Sequence, residues 1–452
     1  MTKAEFGKDF VWGVTTASYQ IEGGVKEGGR GETIWDRFSH IPGNVLHNDN
    51  GDMACDSYHR LEEDLCLLKE LGVKAYRFSI AWSRIFPRGY GDMAEDGVKY
   101  YTALVDGLIE AGIEPYITLY HWDLPQKLQD EGGWANRKTA EHFNEFCRFL
   151  FELFRGKVTH WITLNEPWVV SFPGNYTADM APGLRDFSTA LAVAHGLLRG
   201  HGLVVNSFRE MNMPGEIGIT LNLCPKESLT DKEEDIAAAV RHDGYANRWF
   251  LDPVFLGKYP EDLWNWYENR NVVMPEVMPG DMELIGSSVD FLGINYYNID
   301  FTTDDKNVWP IEFQTGYAAG NPMTHYQMPV TPDGIRKILV RVHEDYHPAK
   351  IYITENGASY QEHPDRHGEI LDEARIDYIH THLKKCEEAI AQGVPLKGYF
   401  VWTLMDDFEW STGYENQFGL VYVDRKTMKR TKKKSFGWYR SVIDTNGEAL
   451  YE

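Results

Sequence analysis

Two glutamates stand apart in this chain because each closes an apolar, β-branched run. Glu166 follows Trp-Ile-Thr-Leu-Asn at 161–165, and Glu355 follows Ile-Tyr-Ile-Thr at 351–354. A strand buried along its length gains nothing from a carboxylate at its tip unless that tip is a working surface. Paired carboxylates serve many acid–base reactions. Glycoside hydrolysis is one that needs two, one to protonate the departing oxygen and one to stabilise or attack the anomeric carbon. Gln20, His121 and Asn165 add neutral hydrogen-bonding capacity suited to hydroxyls. Trp122, Trp168, Trp402 and Trp410 add faces on which a sugar ring can stack. Together these residues describe a carbohydrate site.

The elements that must hold them follow from the hydropathy pattern. Strand-like runs occupy residues 10–17, 75–82, 114–120, 160–165, 216–222, 289–297, 350–356 and 396–405. They are apolar on nearly every residue, as strands covered on both faces of a parallel sheet are. Helical patterns lie between them, as at 60–71, which Gly72 stops, at 139–154, and at 372–391 ahead of Gly393 and Pro395. The alternation predicts βαβ units of the α/β class. Eight strands predict a closed (β/α)8 TIM barrel, with a doubly wound open sheet as the competitor. No Ser/Gly/Pro-rich linker interrupts the chain, so residues 1–452 read as a single catalytic barrel domain. The extra length falls in long βα loops at 20–57, 174–184 and 302–332.

Polar residues then recur at one end of the strands. Arg77 lies in the second, His121, Trp122 and Asp123 follow the third, and Asn222 ends the fifth. Asn295 and Tyr297 belong to the sixth, Trp402 to the eighth, and Asp406, Asp407, Glu409 and Trp410 to the loop beyond. In a barrel all of these converge on the C-terminal face.

Composition narrows the partner. The 452 residues carry 45 basic and 68 acidic side chains, a formal net charge of −23 that opposes nucleic acid and anionic membrane surfaces. Hydrophobic residues at 43% and charged residues at 25% exclude a disordered or coiled-coil chain. A small neutral molecule fits better. Aromatic residues make up 13%, a share that serves a core or a recognition surface equally well. The cysteines, 55, 66, 147, 224 and 386, form no CxxC pair, and the N-terminus carries no apolar leader. A reducing, cytoplasmic location is expected, which makes the sequon at Asn175 a chance match. The basic stretch at 426–434 reads as the solvated start of a helix.

The motifs resemble a known family. Ile-Thr-Leu-Asn-Glu-Pro at 162–167 and Tyr-Ile-Thr-Glu-Asn-Gly at 352–357 are similar to the two signatures of glycoside hydrolase family 1. So are the segments 10–23, 120–125, 290–297 and 408–414, in the same order along the chain. The resemblance implies a retaining β-glycosidase, with Glu166 as acid/base and Glu355 as nucleophile. It implies that Arg77 and Tyr297 hydrogen-bond Glu355, and that Asn295 supports the pair. Gln20, His121, Asn165, Glu409 and Trp410 match glycone-binding positions, with Trp402 as the stacking floor, Trp122 beside it and Phe418 nearby. A retaining pair stands about 5–5.5 Å apart. Two carboxyls so close cannot both ionise freely, so Glu166 is expected to stay protonated. The chemistry calls for no cofactor and no metal.

Substrate detail divides the readings. The resemblance places Glu409 near O4 and O6 of the sugar, where a 6-phosphate would meet like charge. The 6-phospho-β-glucosidases of the family carry a downstream lysine and tyrosine where this chain has Asn416 and Phe418, which disfavours that alternative. Glucosyl, galactosyl and fucosyl residues all remain candidates. The chain departs from the family at Gln417, Met328 and Met180. Met180 and Met328, with Trp168 and Asn222, are the leaving-group-side candidates. His343-Glu344-Asp345-Tyr346-His347 matches HExxH, a zinc-peptidase motif. Pro348 follows at once, placing it at a helix end on the barrel's opposite face. An inert sugar-binding barrel is a third reading, set against by the presence of both carboxylates.

Overall fold

The computed structural model describes residues 6–451. Eight parallel strands form a closed barrel in chain order. They are Val11–Thr15, Ala75–Ser79, Glu114–Thr118, His160–Asn165, Glu216–Asn222, Phe291–Asn295, Ile351–Asn356 and Leu396–Trp402. The first pairs with both the second and the eighth, which closes the ring and leaves no open edge. This is the (β/α)8 architecture. Each of the eight apolar runs supplies one barrel strand, and the open-sheet alternative falls.

The barrel interior is filled by aromatic side chains rather than by Val, Ile and Leu alone. Ala75, Tyr116, Ile162, Phe291, Tyr352 and Phe400 form a separate buried cluster, with Val11 packed against it. Phe291 and Tyr352 meet edge to face at 5.2 Å between centroids, and Tyr116 lies 5.0 Å from Phe400. Glycine on neighbouring strands makes the room. A Cβ on Gly13 would stand 2.3 Å from the Phe400 ring and 3.0 Å from the Ala75 carbonyl. Gly13→Ala is therefore expected to cost about 1–3 kcal/mol by overpacking. A lowered denaturant midpoint at unchanged slope would register it.

Helices lie outside the barrel. Leu61–Leu71 ends on Gly72, which takes the left-handed conformation (φ 79°) and donates to the Leu68 carbonyl. Arg137–Leu153 starts earlier than its apolar pattern suggests, because Asn136 caps it by accepting from the Lys138 amide. Glu373–Ala391 ends two residues before Gly393.

Two expectations are corrected. The stretch 426–434 is not a solvated helix start. It makes the turn after Val421–Val423 and the antiparallel strand Arg430–Lys432, and the helix begins only at Lys434; Lys426, Lys429, Lys432 and Lys434 are exposed, as expected. Arg430 and Lys433 are buried, paired with Asp64 at 3.1 Å and Asp406 at 2.8 Å. The segment 302–332 is likewise not a plain loop. Asp300–Asp304 pairs with Phe313–Gly316 and with Lys226–Ser228 in a small three-stranded sheet over the barrel mouth. No helix among the described residues is long and apolar enough to cross a membrane. All five cysteines are free thiols.

Candidate active site

The two carboxylate strands are irregular where it matters. The fourth strand slips register against the fifth between Ile162 and Asn165, and the seventh slips against the sixth between Ile353 and Glu355. Such bulges re-aim the side chains that follow. Glu166 then takes φ 46° and ψ 64°, left-handed values that are strained for a non-glycine residue. Trp122 (φ 74°) and Trp410 (φ 50°) share that unusual conformation. Strain concentrated on three residues of one cavity marks a surface shaped for binding.

A cavity of about 290 Å³ opens at the C-terminal end of the barrel. Glu166 and Glu355 both line it, with His121, Trp122, Asn295, Tyr297, Trp402, Glu409, Trp410 and Phe418. Trp168, Met180, Asn222 and Met328 also reach it. Gln20, Arg77 and Asn165 stand behind the wall, fully buried. The structure thus gathers the two glutamates and the sugar-binding candidates into one place, whereas Asp123, Asp406 and Asp407 are buried and do not line the cavity.

Hydrogen bonds treat the two glutamates unequally. Arg77 is 1% exposed, and its Nη1 donates to Glu355 Oε1 at 2.6 Å. Tyr297 donates its hydroxyl to Glu355 Oε2 at 2.7 Å. Arg77 is itself fixed by Thr118, by the Thr354 carbonyl and by Asn165 Oδ1 at 2.6 Å. Glu166 receives only the Asn295 amide, at 2.6 Å. Thr354 holds Asn295 in turn by donating to its Oδ1. Asn165 donates to His121 Nε2 at 3.0 Å, so the His121 proton sits on Nδ1, which has no partner among the described residues.

Electrostatics follow this geometry. Burial and then the Glu355 charge push Glu166 up to about 8. Burial raises Glu355 as well, but the Arg77 guanidinium and the hydrogen bonds from Arg77 and Tyr297 oppose it. Of the two, Glu355 is built to hold the negative charge and Glu166 the proton. Glu409 is also raised to about 8, by burial and by Glu355. That direction favours the protonated form, in which Glu409 can donate as well as accept. Gln20 Nε2 faces Glu409 Oε2 at 3.3 Å and donates to the Phe408 carbonyl at 3.0 Å. Burial holds His121 well below the usual histidine range, so it is neutral.

Other groups at the cavity are not singled out by motif. Tyr326, Cys224, Lys226, Asn298 and Asp300 line it, most of them delivered by the small sheet and its flanks. The signal that could have found them is the continuation of polar residues past Asn222 and Tyr297. The HExxH residues stay apart. His343 lies in the last turn of the helix Asp333–Tyr346, His347 is its left-handed cap (φ 50°), and their rings stand perpendicular 6.4 Å apart. Among the described residues no His, Cys, Asp and Glu group is arranged to hold a metal.

The chain is similar to known proteins over nearly their full length. The chain is 44% identical over 455 residues to "Beta-glucosidase A" of Acetivibrio thermocellus, covering 99% of this chain and 100% of that protein. The solved family 1 β-glucosidase of Thermotoga maritima superposes with a TM-score of 0.95 at 45% identity, covering 98% of this chain and 99% of that one. The T. maritima β-glucosidase in complex with glucoimidazole gives a TM-score of 0.94 at 45% identity, covering 98% and 100%. The sequence model of Glycosyl hydrolase family 1 matches residues 2–448. On the barrel, the paired glutamates and this match together, the chain belongs to glycosyl hydrolase family 1.

Proposed function

We propose that this chain is a retaining β-glucosidase, releasing terminal non-reducing β-D-glucosyl residues from β-glucosides or short cello-oligosaccharides. Terminal β-galactosyl and β-fucosyl residues are further candidates. The observation that carries the reading is the unequal setting of Glu166 and Glu355 in one cavity. Residues 1–452 act as one catalytic unit, a reading supported by barrel strands that run from Val11 to Trp402. Five free cysteines suit a cytoplasmic location.

Glu355 supplies the nucleophile. It attacks the anomeric carbon while Glu166 gives its proton to the departing glycosidic oxygen, so the carbon–oxygen bond breaks and a glucosyl ester forms. Esterification removes the Glu355 charge that helps raise Glu166. The Glu166 pKa then falls, and the carboxylate takes a proton from the incoming water. Water attacks the anomeric carbon, restoring Glu355 and the β configuration. Arg77 and Tyr297 keep the nucleophile ionised and oriented between these steps. The unpaired Nδ1–H of His121, with Glu409 and the Trp402 and Trp410 rings, suits the hydroxyls and face of the glycone.

Glu409 separates two substrate classes. The lining contains no arginine among the described residues, and its one lysine, Lys226, follows the fifth strand, across the ring from the first and eighth. A sugar 6-phosphate beside Glu409 would keep that carboxyl protonated at best, with no cation to answer its own charge. p-Nitrophenyl β-glucoside is expected to be hydrolysed with kcat/KM at least about tenfold above its 6-phosphate. Preference for the phosphate would reverse the substrate assignment.

A further inference from the structure

Lys226 is the only lysine or arginine among the described residues lining the cavity, and the hydrolytic chemistry does not use it. Its position is set by the small sheet, whose parallel ladder places Lys226 beside Asp300. Nζ lies 2.5 Å from Asp300 Oδ2 and 3.1 Å from Cys224 Sγ. Asn298 braces the other side of the carboxylate, donating to Asp300 Oδ1 at 2.9 Å. The Lys226 side chain is 6% exposed. Burial opposes its charge, yet Asp300 holds its pKa above the ordinary lysine value.

An ammonium has three donors, and two of these are engaged. Nearby, among the described residues, the Asn222 side chain has no hydrogen-bond partner and Asn298 Oδ1 accepts nothing, its Nδ2 being the group that donates. Asn222, Lys226 and Asn298 therefore present unpaired polar groups along one wall of the cavity. An aryl group seated there would strip water from them without replacing its hydrogen bonds, whereas a hydroxylated ring would replace them. The wall follows the fifth and sixth strands, across the ring from the first and eighth strands, which carry Trp402 and lead into Gln20 and Glu409. It thus stands across the cavity from those glycone candidates.

We propose that Lys226, clamped by Asp300, is a specificity-determining residue that donates a hydrogen bond to a hydroxyl of a sugar leaving group, favouring glycosyl over aryl leaving groups. The assignment rests on the β-glucosidase reading above. Lys226→Met keeps the length of the side chain and removes the donor; Asp300→Asn loosens the clamp and keeps its shape. Loss of a charged donor predicts a fall of about tenfold or more in kcat/KM for cellobiose in Lys226→Met. The value for p-nitrophenyl β-glucoside should stay within about threefold, which also reports that the variant is folded. Asp300→Asn should lower the cellobiose-to-aryl ratio in the same direction, and it serves alone if Lys226→Met does not fold. Equal falls for the two substrates, or a ratio unchanged from wild type, would overturn the role of Lys226. A wild-type protein that hydrolyses neither substrate would instead overturn the parent reading, and this one with it.

Discussion

Glu355→Ala is expected to fold and yet to hydrolyse β-glucosides at least about 10⁴-fold more slowly than wild type. The fold should survive because Arg77, left without its ion-pair partner, keeps acceptors on Thr118, Asn165 and the Thr354 carbonyl. Catalysis should not survive, because no other carboxylate in the cavity is paired with a guanidinium. Glu166 carries the proton, and Glu409 is raised to about 8. The truncation leaves space on the face of the sugar that Glu355 attacks. Added azide should therefore restore turnover of an activated substrate such as dinitrophenyl β-glucoside and release the α-glucosyl azide. Wild-type turnover in this variant would remove Glu355 from the mechanism.

The second large effect concerns the proton donor, and it depends on the substrate. Glu166→Gln should lower kcat/KM for cellobiose by about 10³-fold, within the range general acid catalysis supplies. Dinitrophenyl β-glucoside, whose leaving group needs no proton, should be cleaved in the first step at close to the wild-type rate. The same variant tests the pH dependence. Wild-type kcat/KM requires Glu166 protonated, which holds below its pKa of about 8, so activity should fall as pH rises through about 8. In Glu166→Gln that basic limb should vanish. If it persists, Glu409, raised to a similar value, carries it instead.

Much of this was legible in the sequence for physical reasons that differ by element. The barrel strands are covered on both faces, so their near-continuous apolar runs announce them. The three strands of the small sheet do not. Lys226–Ser228, Asp300–Asp304 and Phe313–Gly316 are short and largely polar, half-exposed segments with no hydrophobic period to read. Missing that sheet also meant missing Lys226, Asn298 and Asp300, which reach the cavity because of it. The basic stretch at 426–434 misled for a related reason. Lys433 looks solvent-facing by type, and its burial against Asp406 depends on a partner outside the stretch. The carboxylates were conspicuous because each ends an apolar strand. Their unequal roles came from the family resemblance alone and not from the residue pattern, since the inequality arises from Arg77 and Tyr297 reaching one glutamate and Asn295 reaching the other.

The central claim is that Glu355 forms a covalent bond to the sugar. A 2-deoxy-2-fluoro-β-glucoside with a dinitrophenolate leaving group slows the hydrolysis of that ester, so the intermediate should accumulate. Mass spectrometry of the intact protein should show one added fluoroglucosyl group, and peptide analysis should place it on Glu355 within Ile351–Asn356. Label on another residue, or turnover to an α-configured sugar with no adduct, would contradict the account.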